Sequence, residues 1–205
     1  MNPYLSILLA WVLFGSLHSL TASNTVKDWF RKYIRNYYRY YRLLYNGLAV
    51  ITFVLVLAVH RTAPADYLWA LNLWSRVVGA VLLVVGFGVA VLAFRQYDLG
   101  DFTGLDAFRP EHEVSPQPLV QAGLLQYVRH PLYTGSILLV LGLFLLSPTL
   151  SYGMLFVLTT LYIRIGIYFE EQKLLREFGS TYRHYQQRVP MLWPTLWAKT
   201  VSKVR

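Results

Sequence analysis

Five blocks of apolar residues, each near the length of a bilayer, constrain this chain more than any other feature. They run roughly from Tyr4 to Leu20, Leu43 to His60, Ser75 to Phe94, Leu132 to Leu146 and Leu150 to Phe169. A helix needs ~20 apolar residues to cross the hydrocarbon, and backbone facing lipid must satisfy its own hydrogen bonds, so the blocks read as transmembrane helices. The 205 residues are 56% hydrophobic and only 14% charged, and the apolar ones are gathered in blocks rather than spread along amphipathic faces. The expected fold is an all-α integral membrane protein with about five transmembrane helices, the fourth being short enough to tilt or to stop before crossing. Only Ser147, Pro148 and Thr149 separate the last two blocks. That predicts a tight antiparallel hairpin near the carboxy terminus, with Ser147 as a cap and Pro148 in the first turn of the second helix. A single membrane domain is expected, made of a three-span part (1–95), a loop (96–131) and a hairpin with an amphipathic tail (132–205).

Lys and Arg collect in cytoplasmic loops. Lys27, Arg31, Lys32, Arg35, Arg39 and Arg42 follow the first block, whereas only Arg61 and Arg76 flank the connection between the second and third. The amino terminus is then outside. The loop from Arg95 to Arg129 and the tail with Lys173, Arg176, Arg183, Arg188, Lys199, Lys203 and Arg205 lie inside. These flanks account for the net charge of +9, so membrane lipid with anionic headgroups, not nucleic acid, is the expected counter-charge. The absence of cysteine excludes disulfides, iron–sulfur clusters and a protein thiol nucleophile. The five His residues lack metal-ligand spacing, so no metal is expected. No Gly-x-Ser-x-Gly or Walker run is present, and Gly86-Phe87-Gly88 lacks the third glycine and the strand of a dinucleotide fingerprint. The first block has no small-residue cleavage site and reads as a retained span. No feature sets an oligomeric state.

Candidate chemistry concentrates between Arg129 and Pro194. In Arg129-His130-Pro131-Leu132-Tyr133-Thr134-Gly135, Pro131 suits a first helical turn, and the amides and dipole there attract an anion. Arg129 and His130 add donors, and Gly135 admits a ligand or a neighbouring helix. The same run also reads as an interfacial anchor with a convenient helix start. Glu170 and Glu171 stand where the fifth block ends, a costly place for two carboxylates unless something satisfies them. Arg164 lies on the same helix face as Glu171, about 10 Å deeper by helical rise. It is either functional or a snorkelling side chain paired within the protein. Gly179 suits a helix end, and a short amphipathic helix with Tyr182, Tyr185 and Arg188 follows, as a lid or as a headgroup-layer element. Trp193 and Trp197 read as interface anchors. His18 reads as a proton relay, a haem ligand or a satisfied buried group. Gly79 with Gly86, and Gly135 with Gly142, form seven-residue small faces for close helix contact. Asp101, Asp106, Glu111 and Glu113 read as a solvated face.

The run RHPLYTG, then EE, then FG with YRHY, then VPMLWP, resembles in order and spacing the carboxy-terminal half of the integral membrane methyltransferases. Isoprenylcysteine carboxyl methyltransferase and the phospholipid methyltransferases typify them. HSLTASNTVKDWF and FRQYDLGDFTGL in the front half look like the bacterial methanethiol S-methyltransferase branch and its NnrU-like relatives, so the resemblance covers nearly the whole chain. It implies S-adenosylmethionine as cofactor, held on the cytoplasmic side between hairpin and tail. Arg129, His130, Pro131, Tyr133 and Gly135 would form one wall and Glu170 and Glu171 the other, with Tyr182, Tyr185 and Arg188 closing over the donor. The acceptor would be a small thiol or a lipid-like molecule reached through the membrane. The front half departs from the prenylcysteine enzymes, which weakens transfer of their large substrate. For a thiol, Arg164 would stabilise the thiolate and His18 or His130 accept its proton. The NnrU-like relatives also include the zeta-carotene isomerase, which implies the alternative of a haem-binding isomerase with His18 as axial ligand. A non-catalytic scaffold in nitrogen-oxide metabolism is the third reading.

Overall fold

The computed structural model describes residues 2–108 and 119–194, whose regular elements are all helical, with no strand among them. Glu111, Glu113, Trp197, Lys199, Lys203 and Arg205 lie outside the described residues. Among the described residues four helices are long and apolar enough to cross a membrane: α1 (Pro3–Ala22), the segment Arg35–Arg61 that contains α3 (Tyr41–Arg61), α4 (Leu73–Phe94) and α7 (Leu150–Phe178). The fourth apolar block is α6 (Pro131–Leu146), whose 16 residues rise about 24 Å, short of a hydrocarbon core about 30 Å thick. The shorter α-helices among the described residues are α2 (Asn24–Tyr33), α5 (Leu99–Thr103) and α8 (Ser180–Arg188).

The hairpin turn differs from its expected form. Ser147 ends α6 by giving its backbone N–H to Leu143, and α7 begins only at Leu150. The chain cannot turn helical earlier, because the Pro148 carbonyl accepts from the Leu68 amide and the Leu150 amide donates to the Asp66 carbonyl. At its far end α7 runs past the apolar block to Phe178, where Gly179, at φ +53° and ψ −123°, a backbone conformation open mainly to glycine, releases the chain into α8.

Among the described residues the chain forms two compact units. The first comprises 2–66, 97–108 and 149–151. Its core is aromatic: Trp11, Phe14 and Phe53 meet edge-on or tilted at 5.5–6.1 Å, over buried Ile7 and Val56. A buried polar cluster stands beside it. The Trp11 indole N–H donates to His60 Nε2 at 3.0 Å; since an indole can only donate, that nitrogen is the acceptor and the ring proton sits on Nδ1. Nδ1–H then donates to Ser151 Oγ at 3.0 Å, and the Ser151 hydroxyl donates to the His60 carbonyl at 3.0 Å. Every group is satisfied by one neutral tautomer. Leu at position 60 would leave the indole N–H without an acceptor, so His60→Leu is expected to lose about 1–3 kcal/mol in denaturant unfolding of the detergent-purified protein. Unchanged stability would remove the cluster from the list of what holds this unit.

At the other end of α3 the first unit clamps residues 98–108 by backbone carbonyls. Asn46 donates to Phe102 and Thr103, Arg39 donates to Ala107, and Arg42 pairs with Asp101. Gly104, at φ +86°, passes so close that a Cβ would lie 2.5 Å from the Leu43 amide. Asp101 is thus an exposed ion-pair partner rather than a bare solvated charge.

The second unit comprises 67–96, 119–148 and 152–194. Its main contact is the antiparallel pair α4 and α6, in which Gly79 meets Gly142 and Gly86 meets Gly135. A Cβ on any of the four would stand 2.8–2.9 Å from the facing glycine's carbonyl oxygen. The small faces read from the sequence are therefore a helix contact with the two backbones touching, the arrangement that membrane helices use when no hydrophobic force separates protein from lipid.

Candidate active site

Glu171 organises the second unit's polar centre. It belongs to a buried i,i+4 stripe of α7, with Leu155, Thr159 and Ile167, so helix geometry turns it inward while adjacent Glu170 is rotated away by about 100°. Glu171 Oε1 accepts from Arg129 Nε at 2.8 Å, from Arg129 Nη2 at 2.7 Å, from His130 Nε2 at 3.1 Å and from the Tyr182 hydroxyl at 3.3 Å. Oε2 accepts from Gln186 Nε2 at 2.9 Å. The remaining nitrogen of Arg129, Nη1, donates to the carbonyls of Gln186 and Val189. Both partners of this ion pair are buried, with side-chain exposures of 8% and 11%, and both are saturated by protein groups. They join the entry of α6, the end of α7 and α8 into one frame.

The chain after α8 closes the frame. The amides of Arg129 and His130 donate to the carbonyls of Pro190 and Met191, at 2.9 and 3.1 Å, and the Thr134 hydroxyl donates to Leu192 at 2.7 Å. The amides that the sequence offers to an anion are, at these two positions, occupied by the protein's own VPML segment. Tyr182, Tyr185 and Val189 form a buried cluster against Leu174, Leu175 and Phe178, and Tyr185 donates to the Leu125 carbonyl at 2.6 Å. Burial, and then the neighbouring Glu171 carboxylate, push the Tyr182 phenol above its ordinary range. Tyr182 is therefore a neutral donor at any physiological pH. Arg188 is exposed and reaches Gln121 Oε1 at 3.4 Å.

Glu170 behaves differently from its neighbour. Its side chain is 40% exposed, and its Oε2, itself shielded from solvent, has no hydrogen-bond partner among the described residues. The nearest cationic or donor group recorded beside it is His130 Nδ1, at 3.7 Å, too long for a hydrogen bond. Tyr133 stacks on the His130 ring at 5.6 Å and 24°. An ionisable acceptor left open beside an aromatic pair fits a ligand that brings a positive charge or donors, and a flat ring.

Similarity to known proteins decides the family. A family model described as phospholipid methyltransferase matches residues 74–181, which span α4, α6, α7 and the start of α8. The chain belongs to the phospholipid methyltransferase family. Over nearly its full length this methyltransferase is also similar to proteins named methanethiol S-methyltransferase. One from Bradyrhizobium diazoefficiens is 33% identical over 202 residues, covering 94% of this chain and 73% of the relative. Another, from Pseudomonas deceptionensis, is 34% identical over 199 residues, covering 90% and 70%. A third, from Mycobacterium tuberculosis, is 29% identical over 198 residues, covering 89% and 74%. No solved structure matches the chain. These relatives are named for methyl transfer, so the haem isomerase alternative gains no support from them.

Of the residues singled out in the methyltransferase's sequence, the structure brings Arg129, His130, Glu171 and Tyr182 into direct contact and sets Glu170 and Tyr133 beside His130. Pro131 opens α6 and is fully buried, and Gly135 meets Gly86. Arg164 is exposed on α7 and makes no hydrogen bond or ion pair among the described residues. His18 belongs to the first unit, where its Nε2 meets the Tyr45 hydroxyl and its ring stacks on Phe14. Sequence reasoning missed Gln186 and Thr134. Gln186 follows Tyr182 by four residues, the spacing at which a helix puts two side chains on one face, and that was the available signal.

Proposed function

We propose that this protein transfers a methyl group from S-adenosylmethionine to a small thiol such as methanethiol, with a lipid-like molecule as the other acceptor class, in the bacterial cytoplasmic membrane. The reading is supported by family membership, by the names of the relatives and, in the site itself, by the open carboxylate oxygen of Glu170 beside a saturated Glu171. When bound, S-adenosylmethionine supplies a methyl on a positively charged sulfonium, whose transfer calls for alignment and dryness more than for a protein nucleophile. Glu170 offers a negative acceptor to the positively charged donor, and His130 and Tyr133 offer ring surface beside it. Arg129 and Glu171 hold these groups in place, Pro131 and Gly135 seat the helix that carries them, and Tyr182, Tyr185 and Arg188 shut the site from water. Arg164, exposed within the span, is assigned to stabilising a thiolate, and His130, of the same unit, to taking its proton. In this reading α6 is the fourth of five crossings, the amino terminus is outside, and the site and tail face the cytoplasm.

The test is titration calorimetry of S-adenosylmethionine into detergent-purified protein, with Glu170→Gln alongside. A charge-assisted hydrogen bond contributes about 1.5–3 kcal/mol, so the variant is expected to bind about 10- to 100-fold more weakly at an unchanged melting temperature. Turnover of methanethiol is expected in the wild type and to fall in Arg164→Met. A folded wild type that takes up no donor would overturn the reading.

A further inference from the structure

Residues 23–40 connect α1 to α3 at one end of the first unit. The two helices are neighbours there, since the Tyr41 hydroxyl donates to the Thr21 carbonyl and Tyr45 meets His18. The connection therefore sits where both spans leave the hydrocarbon. Ser23 caps α2 by accepting from the Val26 amide. The half-buried Val26, Phe30 and Ile34 face inward, with Phe30 edge-on to Tyr41 at 5.1 Å. The opposite face carries an exposed aromatic ridge, Trp29, Tyr33 and Tyr37, at 53%, 64% and 63% exposure. Aromatic rings of this amphipathic kind settle at the headgroup level.

Five basic side chains, Lys27, Arg31, Lys32, Arg35 and Arg39, accompany one acidic residue, Asp28. Several are already used. Arg31 pairs with Asp28 at 3.5 Å and donates to the Tyr38 hydroxyl at 2.9 Å, Arg39 donates to Ala107, and Lys32 lies over the Tyr33 ring at 5.2 Å. Arg35 and Asn36 are exposed and make no hydrogen bond or ion pair among the described residues. Together with Tyr33, Ile34 and Tyr37 they line a cleft of about 250 Å³. That is small for a drug-sized or nucleotide ligand, whose pockets run from about 300 Å³ upward.

We infer that this cleft binds the phosphate headgroup of an anionic glycerophospholipid from the surrounding leaflet. Arg35 and Asn36 donate to the phosphate, and Tyr33 and Tyr37 flank the glycerol and upper acyl chain. Position at the spans' exit, the aromatic ridge and the excess of positive charge select a lipid. The cleft's lining selects an anionic one, because none of its five residues is a carboxylate and Asp28 already holds Arg31, so a choline or ethanolamine cation meets no counter-charge among them. The site lies wholly in the first unit and is independent of the methyl-transfer reading.

The experiment is native mass spectrometry and thermal unfolding of the detergent-purified protein, with phosphatidylglycerol, phosphatidylcholine or inorganic phosphate added in turn. Phosphatidylglycerol is expected to stay bound and to raise the melting temperature, and the other two are not. A basic side chain near an anionic headgroup is worth about 1 kcal/mol, so Arg35→Gln should weaken phosphatidylglycerol binding about fivefold. Arg35 is exposed and unpaired among the described residues, so the variant should melt normally without lipid. Arg61→Gln, at the opposite end of α3, should bind like the wild type. Equal phosphatidylglycerol binding by Arg35→Gln, an equal loss in Arg61→Gln, or an equal shift from phosphatidylcholine or inorganic phosphate would each overturn the assignment.

Discussion

Glu171→Ala is expected to destabilise the second unit by about 3–5 kcal/mol, because it leaves the buried Arg129 guanidinium with only carbonyls for company. His130 Nε2, the Tyr182 hydroxyl and the Gln186 amide lose their acceptor in the same stroke. Arg129→Leu alone strands the carboxylate and should cost a similar amount. The pair replaced together, as Arg129→Leu with Glu171→Leu, is expected to recover much of the loss, since a buried ion pair is often no more stabilising than apolar side chains of similar volume. Denaturant unfolding of the wild type, Arg129→Leu, Glu171→Leu and the protein carrying both closes a double-mutant cycle, and the coupling between the two sites should be well above 1 kcal/mol. The contrast with Glu170 gives the result its meaning. Two adjacent carboxylates on one helix should part company, one governing stability and the other donor binding at constant stability. If Glu171→Ala melts like the wild type, Glu171 is not the frame, and both carboxylates would have to be read as ligand groups.

Why one of these carboxylates turned inward was within reach of the sequence. Steps of four from Leu155 pass through Thr159, Ile163 and Ile167 to Glu171, and a buried α7 stripe at that spacing excludes Glu170. What no local pattern carries is the partner. Arg129 lies 42 residues upstream of Glu171, and its pairing depends on α6 and α7 folding back on one another. The spans were legible because a bilayer demands length and apolarity together, and the carboxy-terminal end of α7 because Gly179 marks it. The segment 98–108 was not legible. Its five-residue helix α5 is held by Arg42 and Asn46 from α3, with only the Asp98 cap and the left-handed Gly104 at its end as local signals, and tertiary contacts of that kind leave no period in the sequence. The saturation of Arg129 by the tail was hidden for the same reason, since VPML supplies backbone carbonyls, which no side-chain motif announces.

The glycine contact between α4 and α6 makes the second large prediction, and α4 supplies its own control. Gly86→Leu is expected to cost about 3 kcal/mol, at the upper end for overpacking. A Cβ at position 86 would stand 2.9 Å from both the Gly135 carbonyl oxygen and the Leu139 amide nitrogen. Those neighbours are backbone and cannot rotate aside, so relief comes only by separating the helices and surrendering the packing that holds membrane helices together. Gly88, two residues on, has nothing within 4 Å of its Cβ position. Gly88→Ala should therefore gain up to about 1 kcal/mol from helix propensity alone. Unfolding in detergent separates the two, and a Gly86→Leu protein as stable as Gly88→Ala would mean that this contact does not hold the unit. The displacement should also reach the site. Gly135 lies in the second turn of α6, the helix that carries His130 and Tyr133 at its mouth, so pushing α6 off α4 moves those two relative to Glu170. Gly86→Leu is thus expected to weaken donor binding although Gly86 lies on a helix that contributes none of the proposed donor-binding side chains, while Gly88→Ala leaves that binding unchanged.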